Sequence, residues 1–355
     1  LYCYSNQLTA LDVSANTALI KLKCSSNLLT DLNMKNGVTD GLTEFNATEN
    51  SLDCIEVNEE DVDYATTNWT YANGNIDDGV TFSTICSNPT FTYVPDDNFE
   101  QALIDLGYDD VLDDSVLTAN ISAVTSLDVG EKEISDLAGI EDFTALTSLS
   151  CDQNQLTVLD VSANTALTTL SCGSNDLTSL DVSANTALTY LSCSSNDLTA
   201  LDVSANTALT TLSCGYNDLT ALDVSTNTAL TILYCYSNQL TSLDVSANTA
   251  LTTLYCSYND LTVLDVSANT ALTILYCSSI DLTTLDVSAN TALERFYCSS
   301  NQLTSLDVSA NTALTYLSCH SNQLTALDVS VNTALTHLYC YSNQLTALDV
   351  SANTA

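Results

Sequence analysis

Apolar residues fall on a fixed beat through most of this chain. In LTTLSCGSNDLTSLDVSANTA (167–187) they stand at Leu167, Leu170, Cys172, Leu177, Leu180 and Val182. Within L-x-C and L-x-V the alternation has period two, which sends Leu170, Cys172, Leu180 and Val182 inward and Ser171 and Asp181 outward. One phrase, L-x-x-L-x-(C or V)-x-x-N, thus occurs twice in each unit, offset by ten residues and then eleven. A cysteine marks every 21st position from Cys151 to Cys340, and Cys3 and Cys24 keep the same spacing. The pattern predicts a coil with a short strand on each of two walls.

A single unit buries too little to fold. Six or seven aliphatic side chains contribute roughly 1.5 to 3 kcal/mol each, against about 1 to 2 kcal/mol of backbone ordering for every residue. Stacking at about 4.8 Å per coil lets neighbours complete each other's core, so ten units predict a rod near ~50 Å long. Two asparagine columns, one with Asn154, Asn175 and Asn196 and one with Asn164, Asn185 and Asn206, are placed where a short amide can satisfy the backbone groups that bends leave unpaired. Ile280 interrupts the first column and predicts an underbonded turn there. The periodic cysteines lie inward between leucines with no second Cys or His at ligand spacing, so they read as small buried hydrophobes.

This phrase resembles the leucine-rich repeat, L-x-x-L-x-L-x-x-N-x-L, in the short bacterial subtype whose 21-residue unit nests two half-repeats; it is similar in particular to the secreted, Bacteroidetes-type members. The resemblance implies a mainly β leucine-rich-repeat solenoid with short strands on two walls, a small N-cap helix and a disulfide-linked C-cap. On that basis residues 1–36 are the final repeats of a first array, 37–86 a C-terminal cap, 87–90 a linker, 91–145 an N-terminal cap with irregular repeats, and 146–355 a second array. The only cysteines off the period, Cys54 and Cys86, bracket the C-cap. A disulfide between them is expected, with two free buried thiols as the alternative, and it implies an oxidising compartment. In the N-cap, Pro95, Asp96 and Asp97 followed by Phe99, Leu103, Ile104 and Leu106 carry the start signals and spacing of an amphipathic helix.

Residues 1–18 repeat as 338–355 letter for letter. Overlaying the copies carries the register on, which makes the chain one cycle of a longer pattern, with both ends expected to expose solenoid core and to self-associate end to end.

Charge narrows the function. Against 44 acidic residues stand five basic ones, for a formal net charge of −39. That surface repels nucleic acid and anionic membrane. No apolar run reaches the roughly 18 residues that span a bilayer. The acidic run Asp109, Asp110, Asp113, Asp114 is a weak candidate for calcium (Ca2+), but it lacks a D-x-D-x-D-G loop and reads first as a solvated helix end. One aspartate per unit, from Asp160 to Asp349, forms a column on the L-D-V wall. Stacked like charges cost about 1 kcal/mol per neighbour pair in bulk water, and hydrogen bonds with diffuse counterions, or bound cations, must offset this.

Variation between units concentrates on the other wall. Tyr234, Tyr236, Tyr255, Tyr258, Tyr276, Tyr297, Tyr316, Tyr339 and Tyr341 form an aromatic strip there, joined by His320 and His337. Exposed rings on a rigid sheet suit a protein or glycan partner, although tyrosine also suits a strand and stacks on its neighbour in the next coil. No nucleophile, base and orienter come together, and no phosphate-binding loop occurs. The expectation is a secreted or cell-surface adhesion module that recognises protein or polysaccharide without catalysis; a cation-stabilised stalk is the rival.

Overall fold

The computed structural model describes residues 1–86 and 90–355, in two compact units, Leu1–Thr90 and Phe91–Ala355. Of the expected linker, residues 87–89 lie outside the described residues.

In the first unit, strands occupy both walls, as the double phrase predicts. Strands β1 (Ala10–Asp12), β2 (Lys21–Lys23), β3 (Asp31–Asn33), β4 (Glu44–Asn46), β5 (Cys54–Glu56) and β6 (Thr81–Ser83), with helix α1 (Val62–Asn68) between the last two, form one parallel sheet in the order β1-β3-β5-β6 and a second of β2 and β4. Once the period dissolves, aromatics replace leucines. Trp69 is buried against Phe45, with ring centroids 4.2 Å apart, and against Phe82 at 5.9 Å. Cys54 and Cys86 are joined by a disulfide. Lys21 and Lys23 both pair with Glu44, and Lys35 with Glu56 at 3.0 Å.

The second unit begins with β7 (Phe91–Tyr93), which pairs antiparallel with β8 (Ser115–Leu117), and with α2 (Asp97–Asp105) between them. The Asp96 carboxylate caps α2 by accepting from the Asn98 and Phe99 N–H groups at 3.0 Å. Its other oxygen takes the Ser135 and Asp136 N–H groups, fixing the helix start to the first coil. Phe99 and Leu103 are fully buried and Ile104 half-buried, whereas Leu106 is exposed. Its predicted place on the apolar face fails because the helix ends at Asp105 and the chain turns away at Gly107, whose φ of 81° is left-handed. After α3 (Thr118–Ile121), eleven parallel strands, from β9 (Ser126–Asp128) to β19 (His337–Tyr339), make one continuous sheet on the cysteine wall. Adjacent strands keep register at the 21-residue step, for example Leu170 to Leu191 and Leu191 to Leu212.

Among the described residues the L-D-V wall of this unit carries no strand ladder, unlike its counterpart in the first unit. Its backbone groups are engaged elsewhere. The Val182 carbonyl accepts from Asn185 N–H at 3.0 Å and from Asn206 Nδ2 at 2.9 Å, while Ser183 N–H goes to Asp181 Oδ1 at 2.9 Å.

Both asparagine columns bond the bends. In the first, Asn196 Nδ2 donates to the Cys172 and Cys193 carbonyls at 3.1 Å, and its Oδ1 accepts from Leu177 N–H at 3.0 Å. At Ile280 that set is lost: the side chain is fully buried, and Asp281 is driven to a φ of 60°. Threonines form a third column, in which Thr189 Oγ1 donates to the Thr168 carbonyl of the coil before at 3.1 Å. Cys172 to Cys319 are fully buried thiols, and burial pushes Cys193 and Cys256 up to about 12. Among the described residues, no helix is long and apolar enough to cross a membrane.

Candidate functional site

Because the register is exact, outward residues between Leu and Cys stack in a file. Tyr234, Tyr255, Tyr276 and Tyr297 occupy equivalent positions in four successive strands. The rings of Tyr234 and Tyr255 meet edge to face at 4.8 Å. Tyr255 and Tyr276 close to 4.0 Å, and Tyr276 and Tyr297 lie nearly parallel at 3.8 Å. Tyr316 comes from the column two residues earlier and continues the stack at 4.6 Å from Tyr297. From Tyr276 to Tyr316 the rings lie face on face, so these faces are covered by neighbouring rings.

Two further columns widen this strip. Tyr236 packs edge to face on Tyr216 at 5.2 Å and tilts toward Tyr255 at 6.5 Å. Tyr216 and Tyr258 are 58% and 63% exposed and are held at φ 52° and 56°, a left-handed position that most other coils of this array give to serine. For a bulky side chain that conformation is unusual and costs energy. Together Tyr216, Tyr234, Tyr236, Tyr255, Tyr258, Tyr276 and Tyr297 line an open depression of about 510 Å³, floored by Ser257, Ser278 and Ser299. The serines bond one another across coils: Ser257 Oγ accepts from Ser278 N–H at 2.9 Å, and Ser278 and Ser299 share a hydroxyl hydrogen bond of 2.9 Å.

Of the nine tyrosines named from sequence, six therefore line one depression and Tyr316 extends it. Tyr339 and Tyr341 stand apart from it, Tyr339 at 5.4 Å from Tyr316 and Tyr341 stacked on His320 at 4.3 Å. The serine floor went unforeseen, though serine at one position of three successive units, 257, 278 and 299, was its signal. Burial raises the phenols of Tyr234, Tyr236 and Tyr276, with neighbouring tyrosines adding to it, and pushes Tyr316 up to about 12. These groups stay neutral hydroxyls, able to donate as well as accept.

Other candidates offer less. His320 Nδ1 meets Ser321 Oγ at 3.1 Å and His337 Nδ1 meets Thr336 Oγ1 at 2.9 Å, each a local contact with no acid behind it. Asp109, Asp110, Asp113 and Asp114 follow α2. Among the described residues no three Asp, Glu, His or Cys side chains are arranged to hold a metal ion. The chain here is organised instead by Glu100, fully buried on α2, whose Oε1 accepts from Asp113 and Ser115 N–H at 2.9 and 3.0 Å. On the opposite wall a groove of about 610 Å³ lies between two coils, lined by Thr241, Asp244, Ser246, Thr262, Asp265 and Ser267 among others. Its residues recur in coil after coil, so nothing singles it out. Hydrogen bonds from the serine two residues on hold Asp181, Asp202, Asp223, Asp244 and Asp265 below the usual carboxylate range.

No family model matches the chain. A 72-residue stretch, 20% of the chain, is 41% identical to Internalin J of Listeria monocytogenes and spans 8% of that protein's length. The solved functional domain of InlJ from Listeria monocytogenes, which includes a cysteine ladder, is 35% identical, with 76% of this chain and 75% of that one covered and a TM-score of 0.49. The internalin InlF of Listeria monocytogenes is 22% identical over 71% of this chain and 84% of its own, with a TM-score of 0.59. A plant peptide hormone receptor, RGFR1, in complex with RGF2, is 16% identical over 97% of this chain and 62% of its own, with a TM-score of 0.57.

Proposed function

The chain belongs to the leucine-rich-repeat proteins of the bacterial 21-residue kind, and from that premise we propose that it is a non-enzymatic module that binds a protein partner through the tyrosine-lined strand wall. The observation that carries this reading is the depression itself. In a chain of net charge −39, the described residues that line it are seven tyrosines and three serines, none of them acidic. Charge-poor aromatic surface is what the centre of a protein interface uses.

The stacking geometry favours protein over glycan. A sugar ring packs on an open aromatic face, and Tyr276 and Tyr297 cover each other's faces at 3.8 Å. Ring edges left by such stacking suit peptide groups better than a sugar ring. One solved structure of similar fold holds a peptide hormone receptor with RGF2. The Cys54–Cys86 disulfide supports an oxidising compartment, hence a secreted or surface location.

Replacing Tyr255, Tyr276 and Tyr297 together by Ser tests the reading on an array of bacterial and host surface proteins with matched glycans. Protein binding by the parent chain should be lost in the variant. Retention would favour the spacer reading, in which the stacked tyrosines serve only strand packing.

A further inference from the structure

The five basic residues of the chain are distributed unevenly. Lys21 and Lys23 pair with Glu44, Lys35 with Glu56, and Lys132 approaches Asp105 at 4.0 Å. Arg295 alone has no carboxylate within ion-pair reach among the described residues, although the chain holds 44 acids and Glu294 is its neighbour in sequence. It is exposed and stands on the tyrosine wall. The strand register places Arg295 beside Tyr316 and Tyr316 beside His337, so a cation and an imidazole flank one tyrosine from the coils on either side. The ring of Tyr316 is stacked between Tyr297 at 4.6 Å and His337 at 5.4 Å. His320, the other histidine, lies on the same wall against Tyr341.

Acidic residues thin out at this end of the wall. One column on this side mixes Gln155 and Gln239 with Asp176, Asp197, Asp218, Asp260 and Asp281, but reads only Gln302, Gln323 and Gln344 beyond Arg295. From residue 282 to 345 the acids are Asp286, Asp307 and Asp328, all on the opposite wall, and Glu294. An unpaired guanidinium kept in such a strip, inside so acidic a chain, is a recognition element for an anion. Its planar fork matches a carboxylate with two parallel N–H donors, and the neighbouring phenols can donate to the same group.

We propose that Arg295, with Tyr316 and His337, forms a carboxylate-recognising subsite at the edge of the tyrosine depression, and that it takes an Asp or Glu side chain, or the chain-terminal carboxylate, of a protein partner's docking segment. This rests on the protein-binding reading above and adds the chemistry and the place of one contact. Arg295 is the specificity element; the tyrosines provide the contact area.

A phage-displayed random peptide library panned on the full chain tests it, with the selected peptides then titrated against Arg295→Gln, Arg295→Lys and the Tyr255, Tyr276, Tyr297→Ser variant. The expected peptides carry an acidic residue or a free terminal carboxylate. Affinity should fall about 10- to 100-fold on Arg295→Gln, the range for losing a charge-assisted hydrogen bond, and less on Arg295→Lys, which keeps the charge but not the fork. Unchanged melting of Arg295→Gln would assign the loss to binding. If the peptides tolerate Asn or Gln for their acids and bind Arg295→Gln equally well, the subsite is refuted while the tyrosine wall stands. If the parent chain selects no peptide, or the tyrosine variant binds the same ones, the wall reading falls and the subsite with it.

Discussion

Replacing Asn259 by Ala removes one rung of the column that holds successive coils together. The side chain is buried, its Nδ2 donates to the Cys235 and Cys256 carbonyls at 3.0 Å, and its Oδ1 accepts from Leu240 N–H at 3.0 Å. Three such bonds contribute about 1 kcal/mol each net, and leaving the buried Leu240 N–H unpaired adds a further 1 kcal/mol or more, so the loss should reach roughly 3 to 5 kcal/mol. The chain already contains a comparison. At Ile280 the amide is absent, but a fully buried isoleucine stands there, contributing about 1.5 to 3 kcal/mol of apolar burial. Alanine at 259 brings no such compensation, so Asn259→Ala should cost more than Asn259→Ile. Urea unfolding followed by far-ultraviolet circular dichroism measures the repeats, while fluorescence of Trp69, the only tryptophan, reports the first unit separately. Because each coil contacts only its neighbours, the midpoint of the repeat transition should fall while the Trp69 transition holds. A loss below about 1 kcal/mol would show that the asparagine column is not what bonds the coils.

Four further outcomes concern burial, titration and cations. Under native conditions a maleimide should label only the half-exposed Cys3 and Cys340, and after denaturation all twelve free thiols, as read by mass spectrometry; native labelling of Cys193 or Cys256, whose thiols burial holds near about 12, would contradict the packed core. The aspartate column has depressed carboxyls from Asp160 to Asp349. Its hydrogen-bonded anions therefore add stability above the ordinary carboxylate range and lose it as pH falls through their lower folded values, so melting should drop in acid. At neutral pH, calcium or salt should raise melting by relieving the column's repulsion, and a flat response to both would remove cations from the account. At the alkaline end, Tyr316 is held near about 12 and Tyr234, Tyr236 and Tyr276 are raised, so stability is full below about 10 and declines toward 12 as the unfolded phenols ionise first; an ultraviolet titration with every tyrosine ionising near 10 would refute the buried file.

The coil was legible because its signals are redundant. Leu170, Leu191 and Leu212 each repeat one steric instruction, and the strand register follows it without a slip. The Cys54–Cys86 bond was legible because those two residues alone leave the period. Leu106 misled because its spacing fits a helix that the left-handed turn at Gly107 brings to an end. The L-D-V wall misled more subtly. Its period is that of a strand, but its carbonyls are claimed by asparagine side chains, a competition that spacing does not show. Within the candidate site, sequence placed the tyrosines on one wall. It did not tell which rings would cover each other, since that depends on rotamers in neighbouring coils. Arg295 was visible as a letter, and its lack of a carboxylate partner became visible only in three dimensions.

Whether the tyrosine file is a docking surface is read from surface-protein array binding by the parent chain beside the Tyr255, Tyr276, Tyr297→Ser variant, with circular dichroism melts of both. A docking role requires a folded variant that has lost the parent's protein contacts. Equal binding by the two proteins would contradict it.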